Sequence, residues 1–119
     1  MKYGRLLKGE ETVVSNLEIA TGSLERAAGL LGRGALPAGS GLYLDPAAVI
    51  HTFFMRFELD LIFLERGGVV TDIRRWVGPF RVIRGQGDST AVVEVASGWL
   101  QEQRLDVGDR LNISLCLPE

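Results

Sequence analysis

The chain has one cysteine, Cys116, and one histidine, His51, in 119 residues. A single cysteine excludes an internal disulfide and any cysteine-based zinc site. One histidine among scattered carboxylates gives no ligand spacing for zinc, and the dense Asp/Asn loop of a calcium site is missing. No metal or other cofactor is therefore expected. No apolar run approaches the roughly 20 residues that span a bilayer. The segment Met1 to Lys8 lacks the apolar centre of a signal peptide, so a cytoplasmic location is expected. There is no Gly-x-Ser-x-Gly elbow for a triad hydrolase and no phosphate loop ending in Gly-Lys-Ser/Thr. Gly32-Arg33-Gly34 follows a helical pattern rather than a strand, against the dinucleotide fingerprint. The net charge of -2 argues against a protein coated for nucleic acid or for a polybasic membrane contact, so neither partner is expected.

What is present is strand pattern. Thr12 to Ala20 is β-branched and partly alternating, with Leu6 and Leu7 in a partner strand across a turn at Lys8-Gly9-Glu10-Glu11. Ser23 caps a short helix whose face is Leu24, Ala27, Ala28 and Leu31, stopped by Gly32 and Gly34. After a loop through Gly41, Leu42-Tyr43-Leu44 is a brief strand ended by Asp45-Pro46. Strands dominate from Val49 to Arg75, and Gly67-Gly68 marks a hairpin turn. Ala91 to Val95 is a further strand. Ser97 caps a second short helix, Gly98 to Arg104, and Val107-Gly108-Asp109 turns into a last strand, Arg110 to Leu117, where Cys116 reads as a buried thiol. No repeat, linker or composition shift divides the chain, so a single domain over residues 1–119 is expected. The expected fold is α+β: β-rich, with a mostly antiparallel, partly closed sheet and two short helices.

Several segments together resemble the DUF192 family of small prokaryotic proteins. They are Arg26 to Arg33, Leu36 to Leu42, Ile50-His51-Thr52-Phe53-Phe54-Met55-Arg56-Phe57, Leu59 to Leu64, Val93 to Gly98, and Val107 to Arg110. The block from His51 to Leu64 is the most specific of these. Many relatives carry a proline where this chain has Glu58, and a cysteine near Ala47-Ala48-Val49, so no cysteine-dependent activity carries over. The resemblance implies a compact α+β domain with a β-rich core and no established reaction.

Two ionisable groups stand out in that block. If residues 49–57 form one strand, alternation puts His51 on the apolar face with Val49, Phe53, Met55 and Phe57. It is then either a core histidine held by a hydrogen bond or a pocket-lining acid, base or ligand anchor. Asp60 faces Arg75 across the Gly67-Gly68 hairpin, or Arg74 if the turn takes in Arg66. Such a pair contributes about 0.2–1 kcal/mol. The alternative is that Asp60 orients His51 in a catalytic dyad.

Residues 74–84 hold four arginines, Arg74, Arg75, Arg81 and Arg84, with Trp76 and Phe80 and no acid. Arginine forks suit phosphate or carboxylate, and aromatic faces stack bases or sugars. The structural alternative is a hairpin end whose arginines pair with Glu58, Asp60 or Asp72 while the two rings pack on the sheet. Three functions follow as expectations. The first is a non-catalytic binding module for a small anionic ligand or a protein partner, through Arg74, Arg75, Trp76, Arg81 and Arg84. The second is an enzyme using His51 and Asp60 for acid–base chemistry. The third is an assembly protein pairing through an open sheet edge.

Overall fold

The computed structural model describes residues 2–20, 22, 33–53 and 55–116. Among the described residues nine strands are present: β1 (Lys2–Lys8), β2 (Glu11–Ala20), β3 (Ser40–Leu44), β4 (Val49–His51), β5 (Leu59–Leu64), β6 (Val70–Val77), β7 (Val82–Arg84), β8 (Ala91–Ala96) and β9 (Asn112–Leu115). Seven form one mixed sheet in the order β6-β5-β8-β3-β2-β1-β9, and β4 pairs with β7 in a separate two-stranded ribbon. Every ladder is antiparallel except β2–β3, whose strands run parallel.

The α+β expectation is corrected. Among the described residues the helical element is one 3-10 turn, Trp99–Glu102, so the described structure is mostly β. The helix expected over residues 24–31 lies outside the described residues. The second helix is cut to a single turn because the chain must return Leu105 to the core, and Gln103 is already extended (φ -104°, ψ 136°). Cys116 is also corrected: it is exposed, since it follows the last residue of β9, an edge strand, and is held there by its N–H to Tyr3 O.

Strands β5 and β8 are buried on both faces, as their largely apolar runs suit, each broken by one carboxyl, Asp60 and Glu94. Alternation along β5 sends Ile62 and Leu64 into one core, with Leu6, Leu17, Val93, Val95 and Leu100. It sends Leu59, Leu61 and Phe63 into a second core on the opposite face, with Leu42, Val92, Ile50 and Ile83. Ile50 and Ile83 are the inward residues of the ribbon, so the ribbon lies over this second core.

The sheet is not closed. Its edges β6 and β9 approach at one end, where Val69 bridges Arg110, Val70 N–H donates to Asp109 O, and Leu111 N–H donates to Gly68 O. A cavity of about 210 Å³ opens there, lined by Leu6, Tyr43, Leu64, Glu65 and Ile113 among others.

Candidate functional site

The strand expected over residues 49–57 ends at His51, and this reverses the predicted faces. Ile50 and Thr52 point inward, and His51 is exposed. His51 is therefore not a core histidine. Its ladder partner is Val82, and Val49 pairs with Arg84. Val49, His51, Val82 and Arg84 thus share the outer face of the ribbon. Phe53 stacks on His51 at 5.3 Å between centroids and 27° between planes. Phe80 leans on Phe53 at 6.2 Å and 40°. Phe80 is 68% exposed and Val82 62%. An exposed run of three rings beside aliphatic side chains is more than the scattered apolar residues that an ordinary surface carries.

The side chain of Thr52 builds this surface from beneath. It is buried, and its Oγ1 donates to Gly78 O at 2.7 Å while accepting Arg81 N–H at 2.9 Å. Its backbone N–H donates to Arg81 O, and its carbonyl accepts Phe80 N–H at 3.1 Å. Four hydrogen bonds therefore tie the 78–81 loop to the end of β4. Phe80 is held with φ 61°, in the left-handed region, which costs a residue with a Cβ about 1–2 kcal/mol.

Asp60 does the same for the neighbouring bulge. Opposite it, β6 carries an extra residue: Leu61 pairs with Arg74 and Leu59 with Val77, leaving Arg75 and Trp76 against Asp60 alone. The expected cross-strand arginine pair does not form, because this bulge displaces Arg75. Asp60 is fully buried. Its carboxylate accepts the backbone N–H groups of Trp76 (3.0 Å), Gly98 (3.0 Å) and Leu100 (3.3 Å). It supplies from another strand the cap that Ser97 was expected to give to the turn at Trp99. Trp76, the bulge residue, is held at φ 57° and is 50% exposed. Among the described residues, Trp76 and Phe80 are the non-glycine residues with positive φ, and they flank the same Val77-Gly78-Pro79 turn. Strained backbone persists where surrounding bonds over-determine it, and it collects at functional sites.

His51 and Asp60 do not meet. Asp60 points to the side of the sheet carrying Leu100, whereas His51 stands on the outer face of a ribbon covering the opposite core. Of the predicted arginines, Arg74 is bound to Asp72 at 3.0 Å. Arg75, Arg81 and Arg84 are exposed and carry no ion pair among the described residues. Arg84 shares the outer face of the ribbon with His51 and stands opposite Val49, Arg81 follows Phe80 and stands opposite Thr52, and Arg75 lies with Trp76 beyond the turn. Sequence reasoning missed Phe53 as a site residue, and it named Phe80 among the aromatics of the basic segment while leaving it out of the binding set. Two signals point to them: the Gly78-Pro79 break that frees Phe80 from strand alternation, and the polar Thr52 in an apolar run, which ends β4.

No metal-binding group of three or more His, Cys, Asp or Glu side chains occurs among the described residues. No helix among them is long and apolar enough to cross a membrane.

Fold and site together define a mostly-β domain built on an open mixed sheet, with an aromatic and cationic ribbon laid over one core. The family model DUF192, described as an uncharacterized ACR, matches residues 5–113, and the chain belongs to this family. A search of curated proteins finds no match. Two solved structures share the fold. One is a protein of unknown function from Novosphingobium aromaticivorans, with TM-score 0.80 and 23% identity, covering 92% of this chain and 83% of that one. The other, from Sinorhizobium meliloti, is described as a "putative transcription regulator", with TM-score 0.80 and 21% identity, covering 94% and 92% of the two chains. At these identities the likeness conveys fold.

Proposed function

We propose that this protein is a non-catalytic binding module for an anionic partner, and that the partner engages the outer face of the β4–β7 ribbon with the loop that follows Gly78. One observation carries the reading: buried Thr52 holds exposed Phe80 in left-handed backbone beside the exposed rings of His51 and Phe53, while Arg81 and Arg84 carry no ion pair among the described residues. A fold gains nothing in its own core from presenting rings to water at a conformational cost, whereas a binding surface does. The arginines give the surface its sign. The separation of His51 from Asp60, and the sealing of Asp60 by backbone donors, favour binding over acid–base chemistry.

Thermal unfolding in the presence of phosphate, citrate, polyglutamate and oligonucleotides tests this. At least one anion should raise the melting temperature, and Arg81→Ala combined with Arg84→Ala should remove most of the increase. A stabilisation that survives in the double variant would place the site elsewhere, and a series with no stabilising anion would refute the reading.

A further inference from the structure

The two edges of the open sheet are unlike each other. Natural edge strands are blunted by charge, proline or a bulge. β6 follows that rule: it carries Asp72, Arg74 and Arg75, it is bulged opposite Asp60, and Val70 is bonded to Gly108 and Asp109. β9 does not. Asn112–Leu115 holds no charged residue and no proline, and its ladder with β1 has no register shift.

Alternation fixes which backbone groups of β9 are left over. Cys116 N–H donates to Tyr3 O, toward β1, whereas Leu111 N–H donates to Gly68 O, away from it. Ile113 and Leu115 have the parity of Leu111, so their N–H and C=O groups also turn away from β1. These groups meet no strand among the described residues, since β9 ends the sheet. The side chains of the same two residues lie on the core side. Ile113 pairs with Leu6, and Leu115 pairs with Gly4, which in turn pairs with Leu17. Gly4 gives Leu115 no side chain to pack on, and Leu115 is 54% exposed. Nearby, the cavity of about 210 Å³ opens between Leu6, Leu64, Ile113 and the turn at Gly67.

We propose that β9 pairs with β9 of a second copy of this chain, antiparallel about a twofold axis at Ser114. The strand is complementary to itself in that register. Ile113 lies opposite the partner's Leu115, apolar on apolar on the cavity side, and the symmetric pair repeats this. Ser114 meets the partner's Ser114 on the other face. The backbone groups left over are the ones used: Ile113 and the partner's Leu115 exchange both hydrogen bonds, and Ser114 falls at the non-hydrogen-bonded position. The partner's Leu115 is thereby brought to the cavity, where Leu6, Leu64 and Ile113 offer aliphatic walls. A foreign strand would have to match this alternation, whereas a second copy carries it. The pairing shares no residue with the β4–β7 ribbon, so it stands or falls apart from the binding reading.

Sedimentation equilibrium of the full chain tests the inference. So short a pairing belongs with small, weak interfaces, and half-dimerisation is expected between about 10 µM and 1 mM. Leu115→Lys puts a charge at an exposed edge position; it should keep the melting temperature and weaken dimerisation at least about tenfold. Cross-linking reads the register. In a Cys116→Ser background, Ser114→Cys should form an intermolecular disulfide with oxidised glutathione, because non-hydrogen-bonded partners have Cα atoms about 4.5 Å apart. Asn112→Cys in the same background should remain reduced, its two copies being offset by about 13 Å along the strands.

A monomer at about 1 mM would overturn the inference. So would a dimer that survives Leu115→Lys undiminished, which would place the interface elsewhere. Cross-linking of Asn112→Cys as readily as Ser114→Cys would contradict the register and leave only random collision.

Discussion

Thr52 and Asp60 show how a polar group in an apolar run can act through the backbone it holds. Each is buried, and each satisfies itself mainly on main-chain groups. Replacing Thr52 with Val keeps the shape but orphans Arg81 N–H and Gly78 O. Leaving such groups unmet costs about 1–3 kcal/mol each, so Thr52→Val should lower the urea unfolding free energy by about 2 kcal/mol, and Thr52→Ser should recover most of it. Asp60→Ala strips acceptors from three backbone donors at the Trp76 bulge and the Trp99 turn. A loss of at least about 2 kcal/mol is expected in the same measurement. If Asp60 instead served mainly as a solvent-facing partner of Arg75, the loss would be under about 1 kcal/mol.

Among the elements, the ribbon and the β5–β6 hairpin depart most from simple strand rules. Gly68, in the hairpin turn, has φ 87°, and a Cβ built there would lie 2.5 Å from Leu111 O. Gly68→Ala should therefore destabilise the protein by about 1–3 kcal/mol and loosen the contact between the sheet edges, which amide exchange at Val70 and Leu111 would register. Exchange unchanged at both would show that this contact does not depend on the turn.

Much of this architecture was legible in the sequence. The β1–β2 hairpin, β3, β8 and a turn at Gly67-Gly68 follow from alternation and glycine placement. That turn also takes in Arg66, with Leu64 opposite Val70, and a bulge between Phe63 and Leu64 returns the central β5–β6 pairs to the register of a two-residue turn. The ribbon was not legible. A three-residue strand, Val49–His51, is too short for alternation to fix its faces, and stretching it to residue 57 inverted His51 and Thr52. The bulge at Trp76 was equally hidden, because one inserted residue leaves no mark in composition while shifting Arg75 away from Asp60. The basic-aromatic segment was visible, but which of its groups remain unpaired depends on tertiary contacts such as Asp72 with Arg74.

At the scale of the whole molecule, the central strand β8 carries another buried carboxyl, Glu94, cross-strand from Leu61 and Leu42. Burial pushes its pKa up from the ordinary 4.5 to about 7, partly offset by Arg33, which is itself bound to Glu18 at 2.6 Å. Between pH 4.5 and 7 the unfolded chain releases this proton while the folded chain keeps it. The stability associated with neutral Glu94 is thus complete below the unfolded value and is lost as pH rises through the folded one, by about 3 kcal/mol in all. Glu94→Gln should flatten this slope, leaving the variant more stable relative to the parent at about pH 8 than at about pH 5. Urea unfolding at both pH values checks it, and an equal difference at the two would rule out Glu94 as the source.

The claim on which the functional account turns is that the partner meets the outer face of the ribbon. Amide chemical-shift mapping during titration with an anion that stabilises the protein tests it most directly. The account predicts the largest shifts at residues 49–53 and 76–84, with the cavity residues Glu65 and Ile113 unmoved. Shifts centred on that cavity, or spread evenly over the sheet, would contradict it.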